Sequence, residues 1–125
     1  MPIEQTIYPL DRLVTGVATG TLTLPDMAKF VQDIIHARLR HYRKLIDVTH
    51  STPGLSRHEL STFAQVLDAI PTDRQRGPLA IVADPQMGEF AHIFAALGVD
   101  GPPAKVFRSI HEARAWLLKV PVRDE

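Results

Sequence analysis

Arg43-Lys44-Leu45-Ile46-Asp47-Val48-Thr49, followed by His50-Ser51-Thr52-Pro53-Gly54-Leu55 and then Ser56, is the stretch whose reading decides the fold. Leu45 to Val48 has the near-continuous apolar character of a strand buried on both faces, which is the mark of a parallel sheet. The turn-rich segment from His50 to Leu55 reads as a loop. Ser56-Arg57-His58-Glu59 then reads as a capping box, in which serine and glutamate reciprocally satisfy free backbone N–H groups at a helix start. In an open α/β sheet the carboxyl ends of parallel strands gather the loops that bind or react. Asp47, Thr49, Ser51 and Thr52 therefore fall at a candidate site.

Working outward, Leu79-Ala80-Ile81-Val82-Ala83 and Lys105-Val106-Phe107 repeat the buried-strand character. Upstream, Thr6-Ile7-Tyr8 reads as a short strand, Pro9-Leu10-Asp11-Arg12 as a turn, and Leu13 to Leu22 as a longer strand rich in Val and Thr. Gly16 and Gly20 stand on one face of that strand. Strand glycines either admit a closely packed helix or open room for a ligand. Thr23-Leu24-Pro25-Asp26 looks like a helix start, with proline tolerated in the first turn and an acid near the positive helix end. Met27, Phe30, Val31, Ile34 and Ile35 follow as one helical stripe. Leu60, Phe63, Ala64 and Leu67 form a second stripe, Phe90, Ile93, Phe94 and Leu97 a third, and Ile110, Ala113, Trp116 and Leu117 a fourth. A second capping box, Ser109-Ile110-His111-Glu112, opens the last of them. This alternation predicts an α/β fold: a mostly parallel sheet with right-handed crossovers and about four helices covering its faces.

With 125 residues and 45% hydrophobic side chains, one domain spanning 1–125 is expected to bury a core without staples. Lys+Arg and Asp+Glu both number 14, so the net charge is zero and no global field draws the chain to nucleic acid or an anionic membrane. Any charge-driven partner must use a local patch. The absence of cysteine excludes a disulfide scaffold, a thiolate metal site and a cysteine nucleophile. The N-terminus lacks the pattern of a secretory signal and no apolar run is long enough to span a bilayer, so a soluble cytoplasmic protein is expected.

Asp47 and Asp84 both fall near the carboxyl ends of strands and could face one crevice, where two carboxylates could bind Mg²⁺ with a phosphate. Each also has a structural role to hand: local hydrogen bonding for Asp47, and an N-cap before Pro85 for Asp84. The histidines His36, His41, His50, His58, His92 and His111 include no i, i+4 pair, so no metal site is indicated. His50 lies beside Ser51 and Thr52, and a histidine next to a hydroxyl can serve as a general base. No Gly-x-Ser-x-Gly elbow accompanies it. Arg38, Arg40, His41, Arg43 and Lys44 read as cations complementing the C-terminal dipole of the first helix, or as a basic patch. No interleaved aromatic stripe supports nucleic-acid binding, and no phosphate-cradle motif or cofactor motif is present.

Gly20-Thr21-Leu22-Thr23 with Asp26, the strand Lys44-Leu45-Ile46-Asp47-Val48, and the ending Lys105-Val106-Phe107-Arg108 to Glu112-Ala113-Arg114-Ala115-Trp116-Leu117 together resemble the SpoIIAA-like branch of the STAS superfamily. The resemblance covers nearly the whole chain. It implies a four- or five-stranded mixed sheet with helices, and a small cytoplasmic binding or regulatory module that is not an established enzyme. Anti-sigma-factor antagonists carry a phosphorylatable serine at the helix start after the central strand, in a pattern resembling Asp-Ser-Ser-Gly. Thr49-His50-Ser51-Thr52-Pro53-Gly54-Leu55-Ser56 departs from that pattern, leaving Ser51, Thr52 or Ser56 for such a switch. The same branch is similar in fold to lipid-binding domains of the CRAL-TRIO type.

The leading expectation is a noncatalytic STAS-like interaction domain with a protein partner at Thr49, His50, Ser51, Thr52 and Ser56. The alternative is a module for a small hydrophobic or anionic ligand, using Gly16, Gly20, Asp47 and Asp84. A third reading is a hydrolase using His50. No cofactor or metal is called for, and composition permits a homodimer through an apolar helix face.

Overall fold

The structure is a computed structural model and describes residues 3–39, 41–54, 56–69, 77–84 and 104–120. Within them the chain runs β1 (Ile3–Tyr8), β2 (Leu13–Leu22), α1 (Leu24–His36), β3 (Arg43–Pro53), α2 (Arg57–Ala69), β4 (Leu79–Val82), β5 (Ala104–Phe107) and α3 (Ile110–Lys119). The helical stripe read at Phe90–Leu97 lies outside the described residues, as do the side chains of Leu60, Ala64 and Leu67.

The strands form one sheet in the order β1-β2-β3-β4-β5, with β1 antiparallel to β2 and every other pair parallel. Strands that follow one another in space, joined by crossovers of one hand, place their connecting helices on one face. Met27 of α1 and Phe63 of α2 accordingly share a core with Ala18, Val48 and Ile81. The opposite face holds α3, whose Ala113 and Leu117 pack on Leu13, Leu45, Ala80 and Val82. Strand alternation explains the division: Leu45 and Asp47 point to the α3 side, Ile46 and Val48 to the α1 side. No helix among the described residues is long and apolar enough to cross a membrane.

Local chemistry sets the boundaries. At the start of α1 Asp26 reaches back to Thr23, whose N–H and hydroxyl both donate to Asp26 Oδ2, at 3.0 and 2.6 Å. At α2 the box expected from Ser56 and Glu59 is complete, with Ser56 N–H donating to Glu59 Oε1 at 3.1 Å and Glu59 N–H to Ser56 Oγ at 3.0 Å. Ser109 caps α3 by accepting from Glu112 N–H. β1 begins at Ile3, earlier than the Thr6 that composition suggests. Pairing of Ile3 with Ala18 buries its side chain against the core, and tertiary packing overrides the weak strand propensity of Glu4 and Gln5.

Candidate functional site

The largest departure from expectation lies at the candidate site itself. His50 to Pro53 is not loop: β3 continues to Pro53, paired with β2 through Thr19–His50, Gly20–Ser51, Thr21–Thr52 and Leu22–Pro53. Pairing of β3 with β4 stops at Asp47–Val82. Among the described residues β3 and β2 therefore run on as a two-stranded ribbon past the end of β4.

A bulge marks where the ribbon starts. Val17 pairs with Asp47 but Thr19 with His50, so β3 carries one extra residue there. An extra residue leaves a backbone N–H outside the ladder and reverses which side chains face each side. Asp47 supplies the missing partner: its Oδ1 accepts from Thr49 N–H at 2.9 Å and from Thr49 Oγ1 at 2.6 Å. Asp47 is only 3% exposed, and this is the local hydrogen-bonding role read for it. The reversal turns Ser51 inward, where it is 4% exposed and its hydroxyl donates to Val48 O at 2.8 Å. It turns His50 and Thr52 outward, beside the exposed Thr19 and Thr21 of β2.

The geometry thus separates residues that sequence placed together. His50 and Ser51, adjacent in a strand, lie on opposite faces, so Thr52 is the hydroxyl that shares a face with His50. Ser56 is exposed and engaged in capping α2. Register puts Asp84 two residues beyond Val82, the partner of Asp47, and thus on the same side of the sheet. No group of three potential metal ligands occurs among the described residues.

The two glycines differ. A Cβ on Gly16 would sit 2.7 Å from Phe30 Cε1, so α1 packs into that space. Gly20 has open space around it and a φ of +73°, which glycine alone adopts without strain. Beneath α1 a void of about 20 Å³ is lined by Ala18, Met27, Phe30, Val48 and Ile81 among other apolar side chains.

Arg43 also corrects its expected role. It serves the last helix, not the first: Nε donates to Leu117 O at 2.8 Å and Nη2 to Val120 O at 3.2 Å, while Nη1 reaches Asp11 O at 2.7 Å. α1 instead ends in a Schellman arrangement, with Arg38 at φ +59° and Leu39 N–H donating to Ile34 O at 3.0 Å. Sequence reading also missed Thr19 and Thr21 as members of the exposed face. Their signal was present in the alternation of Ala18 and Leu22 with Thr19 and Thr21, but it needed the partner strand to give it meaning.

No family model matches the chain, and no curated protein matches it. Among solved structures, the crystal structure of a DUF3478-family protein from Shewanella loihica PV-4, described as having a SpoIIAA-like fold, is similar with a TM-score of 0.60. The two are 23% identical over 92% of this chain and 91% of that one. Strand order, the mixed sheet and this likeness agree that the chain has the SpoIIAA-like fold.

Proposed function

We propose that this domain is a noncatalytic regulatory or protein-interaction module, and that its partner docks on the outward face of the β2–β3 ribbon and the start of α2. The observation that carries the reading is the ribbon's division of labour. Its buried polar groups, Asp47 and Ser51, are engaged within the bulge, while Thr19, Thr21, His50 and Thr52 form an exposed polar face. Such a face offers hydrogen-bonding side chains on a rigid element, and it lacks a nucleophile bonded to a base. A phosphoryl switch, if this domain uses one, acts at Thr52, since Ser51 is buried and Ser56 caps a helix. Phosphate there would place about two negative charges on the docking face.

The test is a photo-crosslinking residue substituted at Thr52 and, in a second variant, at Glu4 on β1, expressed in the native host. A defined protein captured from position 52 and absent at position 4 supports the reading. Capture of the same species from both positions refutes it, as does no capture from position 52.

The void beneath α1 favours a second reading, a module for a small apolar ligand. At about 20 Å³ it holds little more than one water-sized group, whereas drug-sized ligands occupy pockets of roughly 300–1,000 Å³. Ligand binding on this reading requires α1 to move off the sheet, and copurified lipid in native mass spectrometry would support it.

A further inference from the structure

Among the described residues, the charges are unevenly distributed between the two edges of the sheet. Arg43 ties the β1–β2 turn, the start of β3 and the end of α3 into one edge, through Asp11 O, Leu117 O, Val120 O and its own N–H bond to Arg12 O. Arg38 at the end of α1 and Lys119 at the end of α3 are exposed on this same edge, and Lys44 begins β3 beside Arg43. Arg43 places its side-chain hydrogen bonds on neutral carbonyls, which leave the cationic charge in place. The carboxylate on the β1–β2 turn is Asp11. Asp26, Asp47, Glu59, Asp84 and Glu112 belong to the opposite edge, at helix starts and strand ends, where Arg57 and Arg108 offset only part of their charge. The helix dipoles place about −0.5 charge at each helix C-terminus, which offsets only part of this cationic rim.

The same edge carries the most exposed large apolar side chain among the described residues. Leu10, at the tip of the turn, is fully exposed, with Tyr8 behind it and half-exposed Leu118 at the end of α3. A leucine standing alone on a turn makes no apolar patch of the several hundred Å² that protein partners use. Nucleic acid gains nothing from it. An apolar tip on an edge that also bears Tyr8, Arg38, Arg43 and Lys119 does match a layer of anionic headgroups over acyl chains.

From this juxtaposition we infer that the edge bearing Leu10, Arg38, Arg43 and Lys119 docks on an anionic lipid surface. Leu10 enters the headgroup layer and the cations lie against its phosphates. The site is at the opposite end of the sheet from the proposed partner face, so the two readings stand or fall separately.

The natural chain has no cysteine, so Leu10→Cys and Thr52→Cys each offer a single position for an environment-sensitive dye. The probe is vesicles of phosphatidylcholine alone, or with phosphatidylglycerol added, read by flotation and dye emission. The full chain is expected to float only with the phosphatidylglycerol vesicles, and to be released at about 1 M salt, where the Debye length falls to ~3 Å. The dye at position 10 shifts to the blue on binding, and the dye at position 52 does not. Arg38→Gly and Lys119→Gln each weaken binding about fivefold. Arg38→Gly removes a charge while relieving a left-handed backbone, so weakened binding by a chain at least as stable as the parent excludes misfolding as the cause. Absence of flotation with phosphatidylglycerol, or a shift at position 52 in place of position 10, overturns the inference. Equal retention on duplex DNA that survives Leu10→Ser also overturns it.

Discussion

The two ends of β3 are each held by one charged side chain, and they are held differently. At the start, Arg43 reaches backbone carbonyls 32, 74 and 77 residues away and joins the β1–β2 turn, β3 and the end of α3. Where its pairing with β4 ends, Asp47 reaches two residues along the same strand and closes a bulge. The first contact orders segments that are distant in the chain, so its loss is felt by the whole fold. The second shapes a strand already held in the sheet, so its loss is felt where the ribbon begins. Global stability belongs to one end of the strand and the presentation of the candidate site to the other.

Arg43→Ala should be the most damaging change. It removes charge-assisted bonds worth roughly 1.5–3 kcal/mol each where well formed, and leaves the carbonyls at the end of α3 without their donor. A loss of about 3 kcal/mol is expected in urea unfolding followed by the single tryptophan, Trp116, which sits on α3 against Phe107. Arg43→Lys should recover less than half of it, because an ammonium cannot fork to three acceptors in a fixed plane. Full recovery with lysine would show that charge alone, not geometry, holds that edge.

Asp47→Ala should cost about 2 kcal/mol, the scale of leaving a buried donor unsatisfied. Its distinguishing sign is local. Amide hydrogen exchange should accelerate from Thr49 to Thr52 while amides of β4 and α3 keep their protection. Exchange that rises evenly over the sheet would erase the difference between the two ends.

What was legible in the sequence follows the same line between local and distant. Buried-strand runs, the Met27 to Ile34 stripe and the capping serines depend on neighbours within one or two turns, and the sheet and its helices were read from them. The bulge was not readable, because an extra residue in β3 exists only relative to its pairing with β2. One uncounted residue exchanged the faces of His50 and Ser51 and turned a strand into an apparent loop. Arg43 was read against the nearest helix end, although its acceptors come from the last helix. The glycines show the limit in miniature, since sequence treated Gly16 and Gly20 alike. One makes room for Phe30, and the other supplies a positive φ. Gly20→Ala should therefore cost about 1 kcal/mol through backbone strain alone, with no clash to relieve. A chain unaffected by it would mean that the ribbon relaxes freely there, and that the bulge alone fixes its shape.

Arg38 provides the counterpart at the other end of the molecule. Its φ of +59° is of the same kind as that of Gly20, yet it carries a Cβ. The Schellman bond from Leu39 N–H to Ile34 O and the packing of both side chains in one core hold the backbone there in spite of the strain. Arg38→Gly removes the Cβ penalty of about 1–2 kcal/mol, and gives back part of it through the greater freedom of glycine in the unfolded chain. A net gain of somewhat under 1 kcal/mol is expected, or a rise of about 3 °C in Tm for a chain of this size. Glycine substitutions at exposed positions commonly destabilise, so a gain in Tm identifies strain as the cause. A fall in Tm would mean that the arginine side chain stabilises the fold by more than its backbone strain costs. The basic edge would then be held by the side chain of Arg38 as well as by that of Arg43.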